Sequence, residues 1–193
     1  MPSQEERNDG AIIAAVLEGD REEFAVLVNR YQNRIRGFCL SLLSENEAAR
    51  DAAQEIFIKA FKGLGNFRGD SSFSTWLYRI AYNHCSSLRG RAAQSRIESL
   101  DAMSEFDREK AEKRLEPAAP DDRELPELAS QAIESLPAGY RAAVYMRLQG
   151  ADYRAIASAL GVSPDSVRAR LRRARVILRA RLRHFLPDGL SKC

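Results

Sequence analysis

The spacing of apolar residues restricts the fold of this chain more than any other feature. Between residues 20 and 45, apolar side chains recur at intervals of three and four and so share one face of a helix: Phe24, Leu27, Val28, Tyr31, Ile35, Phe38, Cys39 and Leu42. Later segments repeat this spacing, and none shows the apolar–polar alternation typical of a half-buried strand. The sequence therefore predicts an all-α protein.

Residues 10–92 contain four predicted helices. The first is short, covers about residues 12–17 and ends at Gly19. Capping patterns, in which a short polar residue is followed three positions later by an acid, predict where the next two begin: Asp20 with Glu23, and Ser44 with Glu47. The fourth runs from about Phe73 to Arg91. Together these helices carry enough aromatic and aliphatic side chains for one compact domain.

Residues 93–126 have a composition that does not support a packed domain. Large apolar side chains are few, and the stretch Glu116–Asp122 contains prolines, which lack the backbone donor that a helix needs. From Glu98 to Glu127 there are eleven acids and five bases, a local net charge of −6. We therefore expect a flexible acidic linker here, which joins the first domain to a second small helical domain over residues 127–187.

The second domain is predicted to contain a helix-turn-helix. A short helix opens at Asp152, and the turn Gly161-Val162-Ser163 separates it from a longer helix that begins at Pro164. Gly161 can adopt the left-handed conformation that a helix end favours, and Ser163 before proline is a strong N-cap. A small core is expected between the two helices: Ile156, Ala157, Leu160, Val162, Val167 and Leu171.

The longer of these helices, predicted to run to about Phe185, is strongly basic. Residues 166–184 contain eight arginines and no acid, although the whole chain has a net charge of only +3. Like charges four residues apart destabilise a helix, and a polyanion would relieve this repulsion. A solvated face or a purely structural hairpin would not explain why the arginines are confined to one helix. We therefore predict that this helix binds DNA.

The first turns of the second helix face the bases when a helix-turn-helix enters the major groove. Because arginine can contact guanine bidentately, Arg168, Arg172 and Arg173 are the candidates for base recognition. Other residues on the available surface are Ser166 and Ala169. The remaining arginines are expected to contact phosphates or the protein surface: Arg170, Arg175 and those beyond.

Motifs and composition exclude several classes of function. The three cysteines are widely spaced, and the two histidines, His84 and His184, lie far apart, so no metal site is expected. The sequence contains no phosphate-binding glycine loop, no HExxH and no nucleophile with a histidine partner; we predict no enzyme, cofactor or small-molecule substrate. No apolar run approaches the ~20 residues that cross a bilayer, and the first residues do not resemble a signal peptide, so a cytoplasmic protein is expected.

Three segments together carry a resemblance to a known family: DAAQEIF at Asp51–Phe57, FRGDSSFSTWLYRIAYN at Phe67–Asn83, and the helix-turn-helix after Leu136-Pro137. In this order, with the linker between the domains, they resemble the extracytoplasmic-function (ECF) sigma factors, and most closely those of the envelope-stress type. The likeness extends over nearly the whole chain. It implies a protein that binds core RNA polymerase, directs it to a promoter and opens the DNA there.

The resemblance gives expected roles to residues of the first domain. One helix face would contact the clamp helices of the polymerase's largest subunit through Asp51, Gln54 and Glu55. The loop 67–74 and the helix after it would melt and read the −10 promoter element through Phe67, Arg68, Asp70, Ser74, Arg79 and Asn83. The chemistry agrees, because aromatic stacking and hydrogen bonds can hold an unstacked base. A solvated acidic face remains the other interpretation of the first set.

By the same resemblance, the second domain would read the −35 element through Ser163, Ser166, Arg168, Ala169, Arg172 and Arg173. Ala169 stands where relatives often have a hydroxyl residue, and Arg172 replaces an aromatic, so a different preferred sequence is expected. The acidic linker would thread through the polymerase towards the RNA exit path. An anti-sigma factor that clasps the two domains is an expected further partner, and a stress regulon the expected target.

Two other classes of protein stay open at this point. A stand-alone helix-turn-helix repressor or activator would share the second domain, but has no need for the Asp51–Phe57 face or the loop 67–74. A pure interaction protein that uses the first domain as a scaffold would bind no DNA. Co-purification with core polymerase separates the sigma factor from the stand-alone regulator, and a chain inert towards any DNA would favour the interaction protein.

Overall fold

The structure, a computed structural model, describes residues 8–99 and 131–182, with side chains for all of these except 91–99. Within these ranges the structure has the helices α1 Asp9–Leu17, α2 Phe24–Leu43, α3 Asn46–Gly63, α4 Phe73–Ser99, α5 Ala138–Leu148, α6 Tyr153–Leu160 and α7 Pro164–Leu182. Two short 3-10 turns cover Arg21–Glu23 and Leu64–Asn66, and residues 131–134 are also helical. The described residues form no strand, and the all-α prediction is confirmed.

The core of the first domain is built where the apolar spacing predicts it. On α2, every residue of the predicted stripe is buried except Val28, which is half-buried. This face packs against α3 and α4, and α3 contributes a row of small residues that lets the helices approach closely: Ala49, Ala52, Ala53 and Ala60. Phe61, also on α3, is 37% exposed and meets the ring of Phe24 in a T-shaped contact, with centroids 5.1 Å apart.

The helix starts differ from the capping patterns in two places. Asp20 makes no side-chain cap; a 3-10 turn follows it, and α2 begins only at Phe24. Ser44 does not cap α3 but ends α2 in the left-handed conformation, with φ of 60°, and leaves the N-cap position of α3 to Glu45. Both capping predictions are therefore wrong. A serine in the left-handed conformation cannot also adopt the extended backbone that an N-cap requires.

The last helix of the first domain is longer than the sequence indicated. Instead of ending near Arg91, α4 continues through Ser99, so the first residues of the predicted linker, 93–99, belong to a helix. The rest of that linker up to residue 126, with its expected flexibility, lies outside the described residues, as does the expected end of the basic helix near Phe185.

The helix-turn-helix of the second domain forms as predicted. Asp152 caps α6, since its carboxylate accepts a hydrogen bond of 2.7 Å from the Ala155 backbone N–H. Gly161 ends α6 in the left-handed conformation, with φ of 65°. Val167, on α7, is fully buried in the predicted small core, where Ile156, Ala157 and Leu160 are buried and Val162 and Leu171 are half-buried.

The two domains pack directly against each other. Helix α5 lies against α2, and α6 lies against α4. The buried apolar residues of both domains form one continuous core, with Phe38 and Tyr145 in edge-to-face contact across the boundary. The sequence pointed to two domains but not to their contact. No helix within the described ranges is long and apolar enough to cross a membrane.

Candidate functional site

The acidic face of α3 points to solvent. Asp51, Gln54 and Glu55 are all exposed, while the residues between them are buried against α2 and α4. The 3.6-residue period of a helix produces this division, because positions three and four apart share a face. The three side chains predicted for polymerase contact therefore stand together on one accessible surface.

A groove next to this face includes residues that the sequence analysis missed. The groove has a volume of about 580 Å³ and lies between α2 and α3. Gln54 lines it on the α3 side, over the apolar side chains of Phe57 and Ile58. Its polar rim comes from both helices: Gln32, Asn33, Arg36 and Arg50. The signal was present in the sequence as a polar face on α2, but only the packing of α2 on α3 places that face beside Gln54.

The loop before α4 has an ordered aromatic base and an exposed tip. The half-buried ring of Phe67 lies 5.3 Å from Trp76 and 6.0 Å from Phe73, centroid to centroid, so part of its surface is already used within the protein. Arg68 and Asp70 are exposed at the tip, on either side of Gly69. Gly69 has φ of +76°, a conformation that favours glycine and turns the chain at this point.

Hydroxyl groups hold the start of α4. The Ser72 hydroxyl accepts a hydrogen bond of 3.2 Å from the Thr75 backbone N–H, which makes Ser72 the cap of this helix. The hydroxyls of Ser74 and Thr75 lie 2.9 and 2.8 Å from the Ser72 hydroxyl. Ser74, a predicted DNA contact, is half-buried in this network, which the sequence analysis did not foresee.

Further along α4, Arg79 and Asn83 are exposed. They are one helical turn apart on the same face, and Asn83 lies about 14 Å along the helix from Ser74 at 1.5 Å per residue. His84, next in the chain, is instead buried, and its Nδ1 atom lies 2.5 Å from the Lys59 Nζ atom of α3. His84 is therefore packed between α4 and α3, whereas Asn83 is accessible.

The start of α7 is held by the predicted cap. The Ser163 hydroxyl accepts a hydrogen bond of 3.2 Å from the Ser166 backbone N–H, and the two serine hydroxyls lie 2.9 Å apart. Ser163 is exposed, Ser166 is half-buried, and Val167 anchors this first turn in the core. Both serines therefore hold the helix start as well as lying on the predicted DNA surface.

The arginines of α7 fall into different environments. Arg172 and Arg173 are exposed, and Ala169 beside them is half-buried. Arg168 is exposed but forms an ion pair of 2.5 Å with Asp165, and its guanidinium lies 6.0 Å from the ring centre of Tyr153. An exposed ion pair of this kind contributes little, so DNA could displace Asp165 from Arg168 at small cost.

Arg170, expected at a phosphate or on the surface, is half-buried instead. Its Nη1 atom is shielded from solvent and would lie 3.2 Å from a Cβ placed on Gly139 of α5. Of the residues that the structure describes, none accepts a hydrogen bond from this atom. Arg170 therefore faces the body of the protein, which the charge pattern alone could not reveal.

The described residues offer no metal site, since no three histidine, cysteine or acidic side chains cluster among them. Cys39 and Cys85 are fully buried, on α2 and α4. A hydrogen bond to Cys85, together with burial, raises the pKa of the Cys39 thiol far above its usual range. Cys39 is therefore a small core residue, as predicted.

Comparison with known proteins identifies both domains. The family model of sigma-70 region 2 matches residues 27–94, and that of sigma-70 region 4 matches residues 127–178. The RNA polymerase sigma-H factor of Pseudomonas aeruginosa is 35% identical over 98% of this chain and 100% of its own length. The ECF RNA polymerase sigma-E factor of Escherichia coli is 35% identical over 89% of this chain and 92% of its own length.

Solved structures share the fold. CnrH, in complex with the cytosolic domain of CnrY, superposes with a TM-score of 0.65 at 23% identity, over 91% of this chain and 97% of that one. The sigma factor RpoE of Bartonella quintana, in complex with the anti-sigma factor NepR, gives the same TM-score and identity over 84% of this chain and 98% of that one. With two family models in the expected order and relatives that align over nearly their full length, this chain belongs to the sigma-70 family, among its ECF sigma factors.

Proposed function

We propose that this ECF sigma factor recruits core RNA polymerase through the exposed face of α3 and the adjoining groove. Asp51, Gln54 and Glu55 form the acidic side of this surface, and Arg36 and Arg50 form the basic side of the groove. Ile58, which also lines the groove, is 46% exposed. An apolar centre with charges of both signs around it is the usual anatomy of a specific protein interface. This arrangement supports a polymerase contact over a merely solvated face.

The loop 67–74 and the exposed face of α4 are proposed to open and read the −10 element. Arg68 and Asp70 would contact a base or its phosphate at the loop tip, and Arg79 and Asn83 would contact the strand along α4. Phe67 would offer only the part of its ring that Trp76 does not cover. The ordered hydroxyl network at the base of the loop supports this role, because a contact residue held in place loses less entropy on binding.

Helix α7 is proposed to read the −35 element in the major groove. One observation carries this assignment: Arg172 and Arg173 are exposed on a helix whose opposite side, at Val167, is buried in a formed helix-turn-helix. Ser163, Ser166, Arg168 and Ala169 complete the proposed surface, with Arg168 released from Asp165. Arg170 contributes no contact while its guanidinium is directed towards Gly139.

The proposed setting follows from the family. The protein would act in the cytoplasm as a non-enzymatic transcription factor without a cofactor, for genes of a stress response. An anti-sigma factor is a proposed partner, since the similar structures of CnrH and RpoE are complexes in which a second protein, CnrY or the anti-sigma factor NepR, is bound. The proposed domain limits are 10–92 and 127–187, with 93–126 between them. A stand-alone regulator is not favoured, because the chain aligns with sigma factors over both domains.

Run-off transcription tests the function directly. Purified core polymerase is incubated with a genomic fragment library, with and without the full chain, and new start sites that depend on the protein are mapped. The double variant Asp51→Arg/Glu55→Arg should lose core binding and all such starts while its helical content stays unchanged, because like charges across an interface are strongly unfavourable. The matched control is Glu18→Arg/Glu22→Arg, which makes the same charge change at exposed positions outside the proposed surface.

The results distinguish a sigma factor from a regulator that acts on DNA without polymerase. Starts that depend on the chain and on the α3 face support the sigma factor and its polymerase contact. Retained core binding by the α3 variant would refute the assignment of that face. Absence of both starts and comigration with core on a sizing column would refute the sigma function and favour a regulator that acts on DNA alone.

A further inference from the structure

Asp165 is the one acidic residue of α7, and it lies in the first turn, on the side proposed to meet DNA. Every other charged side chain of this helix is an arginine. The Asp165 side chain is 84% exposed. An acid in the first turn stabilises a helix, yet on a DNA-binding surface it is repelled by the phosphates. Its position is therefore favourable for DNA binding only if the carboxylate has a specific partner there.

In the free protein the partner of Asp165 is Arg168, about one turn further along α7. The Arg168 Nη1 atom donates a hydrogen bond of 2.5 Å to the Asp165 Oδ1 atom. The Arg168 guanidinium also lies 6.0 Å from the ring centre of Tyr153, and that of Arg147 lies 5.7 Å from the same ring. The Arg168 side chain is nevertheless 63% exposed. Its guanidinium is thus held beside a carboxylate and an aromatic ring while it stays accessible to DNA.

The spacing of Asp165 and Arg168 matches that of neighbouring base pairs. Residues three apart share a face of a helix, and both side chains are exposed, whereas Ser166 and Val167 between them are half-buried and buried. At 1.5 Å per residue the two are about 4.5 Å apart along the helix axis, close to the rise of about 3.4 Å per base pair in B-form DNA. The pair can therefore reach adjacent bases when α7 lies in the major groove.

Release of Arg168 to DNA leaves the Asp165 carboxylate in need of a donor. An ionised carboxylate only accepts hydrogen bonds. In the major groove guanine presents two acceptors and thymine an acceptor and a methyl group, whereas cytosine presents its N4 amino donor. Adenine presents a donor beside an acceptor. A carboxylate next to guanine or thymine would stay unpaired, which is unfavourable away from water. Cytosine is the base that fits this side chain.

We propose that Asp165 is a specificity-determining residue of the −35 surface, which selects cytosine next to a guanine that Arg168 reads. In the free protein the two side chains pair with each other. On the correct element they separate, so that Arg168 donates to guanine O6 and N7 and Asp165 accepts from the cytosine N4 amino group. On another element the lost ion pair is not replaced, and binding is disfavoured. This inference rests on the proposed −35 role of α7.

Selection from a randomised promoter tests the preference for cytosine. Holoenzyme made from core polymerase and the full chain is bound to duplexes that carry a promoter mapped by run-off transcription, with the −35 element randomised, and the bound duplexes are sequenced. The wild type should enrich cytosine over guanine and thymine about tenfold at one position, beside a position enriched in guanine. Asp165→Asn should lose the cytosine preference at that position alone, because an amide donates as well as accepts.

The matched control is Asp20→Asn, which makes the same chemical change at an exposed position of the first domain. Asp20 makes no side-chain cap, so this variant should keep the wild-type preference at every position. A lost cytosine preference in both variants would show that the effect does not come from α7 and would overturn the inference.

The variant Arg168→Ala shows whether Asp165 acts on the base by itself. Arg168→Ala should lose the guanine preference and keep that for cytosine, and Asp165→Asn/Arg168→Ala should lose both. If Asp165→Asn has no effect in the Arg168→Ala background, Asp165 only positions Arg168, and the base contact is overturned. An equal gain in affinity on every sequence in Asp165→Asn would identify general repulsion from the phosphates and would overturn it as well.

Urea unfolding of the free chain, followed by circular dichroism, separates base recognition from support of the helix start. A lower urea midpoint of Asp165→Asn with an unchanged base preference would show that Asp165 serves only the helix, against the inference. A wild-type holoenzyme that enriches a −35 sequence without cytosine would also overturn the inference and leave the proposed function standing. Enrichment of no −35 sequence at all would overturn the proposed reading by α7, and the role of Asp165 with it.

Discussion

Helices α3 and α7 are organised alike but supported very differently. Each presents an exposed functional face and buries the opposite one. On α3 the buried face extends along the helix: Ala49, Ala52, Ala53, Ile56, Phe57 and Ala60. On α7 only Val167 and Ala174 are buried. The polymerase surface therefore rests on packing along a whole helix, whereas the DNA surface rests on two buried side chains, one in the first turn of α7 and one near its middle.

The charge of each helix explains the difference. Small residues on α3 allow close packing, and its acids are few enough to share one solvated face. The arginines of α7 occupy most of its circumference, which leaves few positions for apolar anchors and adds repulsion between like charges. A helix with so little buried area needs help from its N-cap and from the neighbouring α5 and α6.

Replacing one buried apolar residue of α3 or of α7 by alanine should have the largest effect on stability. Ile56→Ala should lower the free energy of unfolding by about 2–5 kcal/mol, because a fully buried side chain is replaced by a cavity. Val167→Ala removes fewer atoms and should lower it by about 1–3 kcal/mol, yet weaken −35 binding more than Ile56→Ala does.

The fluorescence of the single tryptophan distinguishes unfolding of the first domain from unfolding of the second. Trp76 lies in the first domain, so its fluorescence during urea unfolding reports that domain, while circular dichroism reports both. Ile56→Ala should shift the fluorescence transition, and Val167→Ala should shift mainly the dichroism. Equal shifts of the fluorescence midpoint in both variants would show that the two domains unfold as one unit, and the contrast between the helices would fail.

Arginine substitutions on α7 should have an intermediate effect. Arg172→Ala or Arg173→Ala should each weaken −35 binding by about 1–3 kcal/mol and relax the sequence preference at one position. Holoenzyme affinity is measured on duplexes that carry each base in turn, with Arg181→Ala, at the far end of the same helix, as the charge-matched control. An equal loss on every duplex would identify phosphate contacts and remove these arginines from the reading surface.

The smallest effect should come from the helix caps. Ser163→Ala should lower the free energy of unfolding by about 0.5–2 kcal/mol, because the Ser166 N–H loses its acceptor. Glu45 occupies the N-cap of α3 without a side-chain hydrogen bond, so Glu45→Ala should change stability by no more than about 0.5 kcal/mol. Urea midpoints of the two variants check this, and a larger loss for Glu45→Ala than for Ser163→Ala would contradict the expectation that α3 depends less on its N-cap than α7 does.

Much of the fold could be predicted because it follows from local periodicity. The buried stripe of α2 and the helix-turn-helix around Gly161 needed only residue spacing and turn chemistry. The capping patterns at Asp20 and Ser44 failed for a physical reason. A capping bond needs a particular backbone conformation, and at both positions the neighbouring turn or helix end imposed another one.

Some features of the candidate site could likewise be predicted from the sequence, and others could not. Exposure of Asp51, Gln54 and Glu55 could be predicted from their place on one helix face. The groove rim at Arg36 and the inward direction of Arg170 could not, because each depends on which helix packs alongside.

The sequence by itself determined the helices, their buried faces, the division into two domains and the family, since these follow from patterns within short segments. Only the tertiary structure decided how the domains meet. The contact of Tyr145 with Arg34 and Phe38 joins residues more than a hundred positions apart. No local pattern encodes such a pairing, because it depends on the shapes of two finished surfaces and on Gly37 of α2, where a Cβ would collide with the Tyr145 hydroxyl.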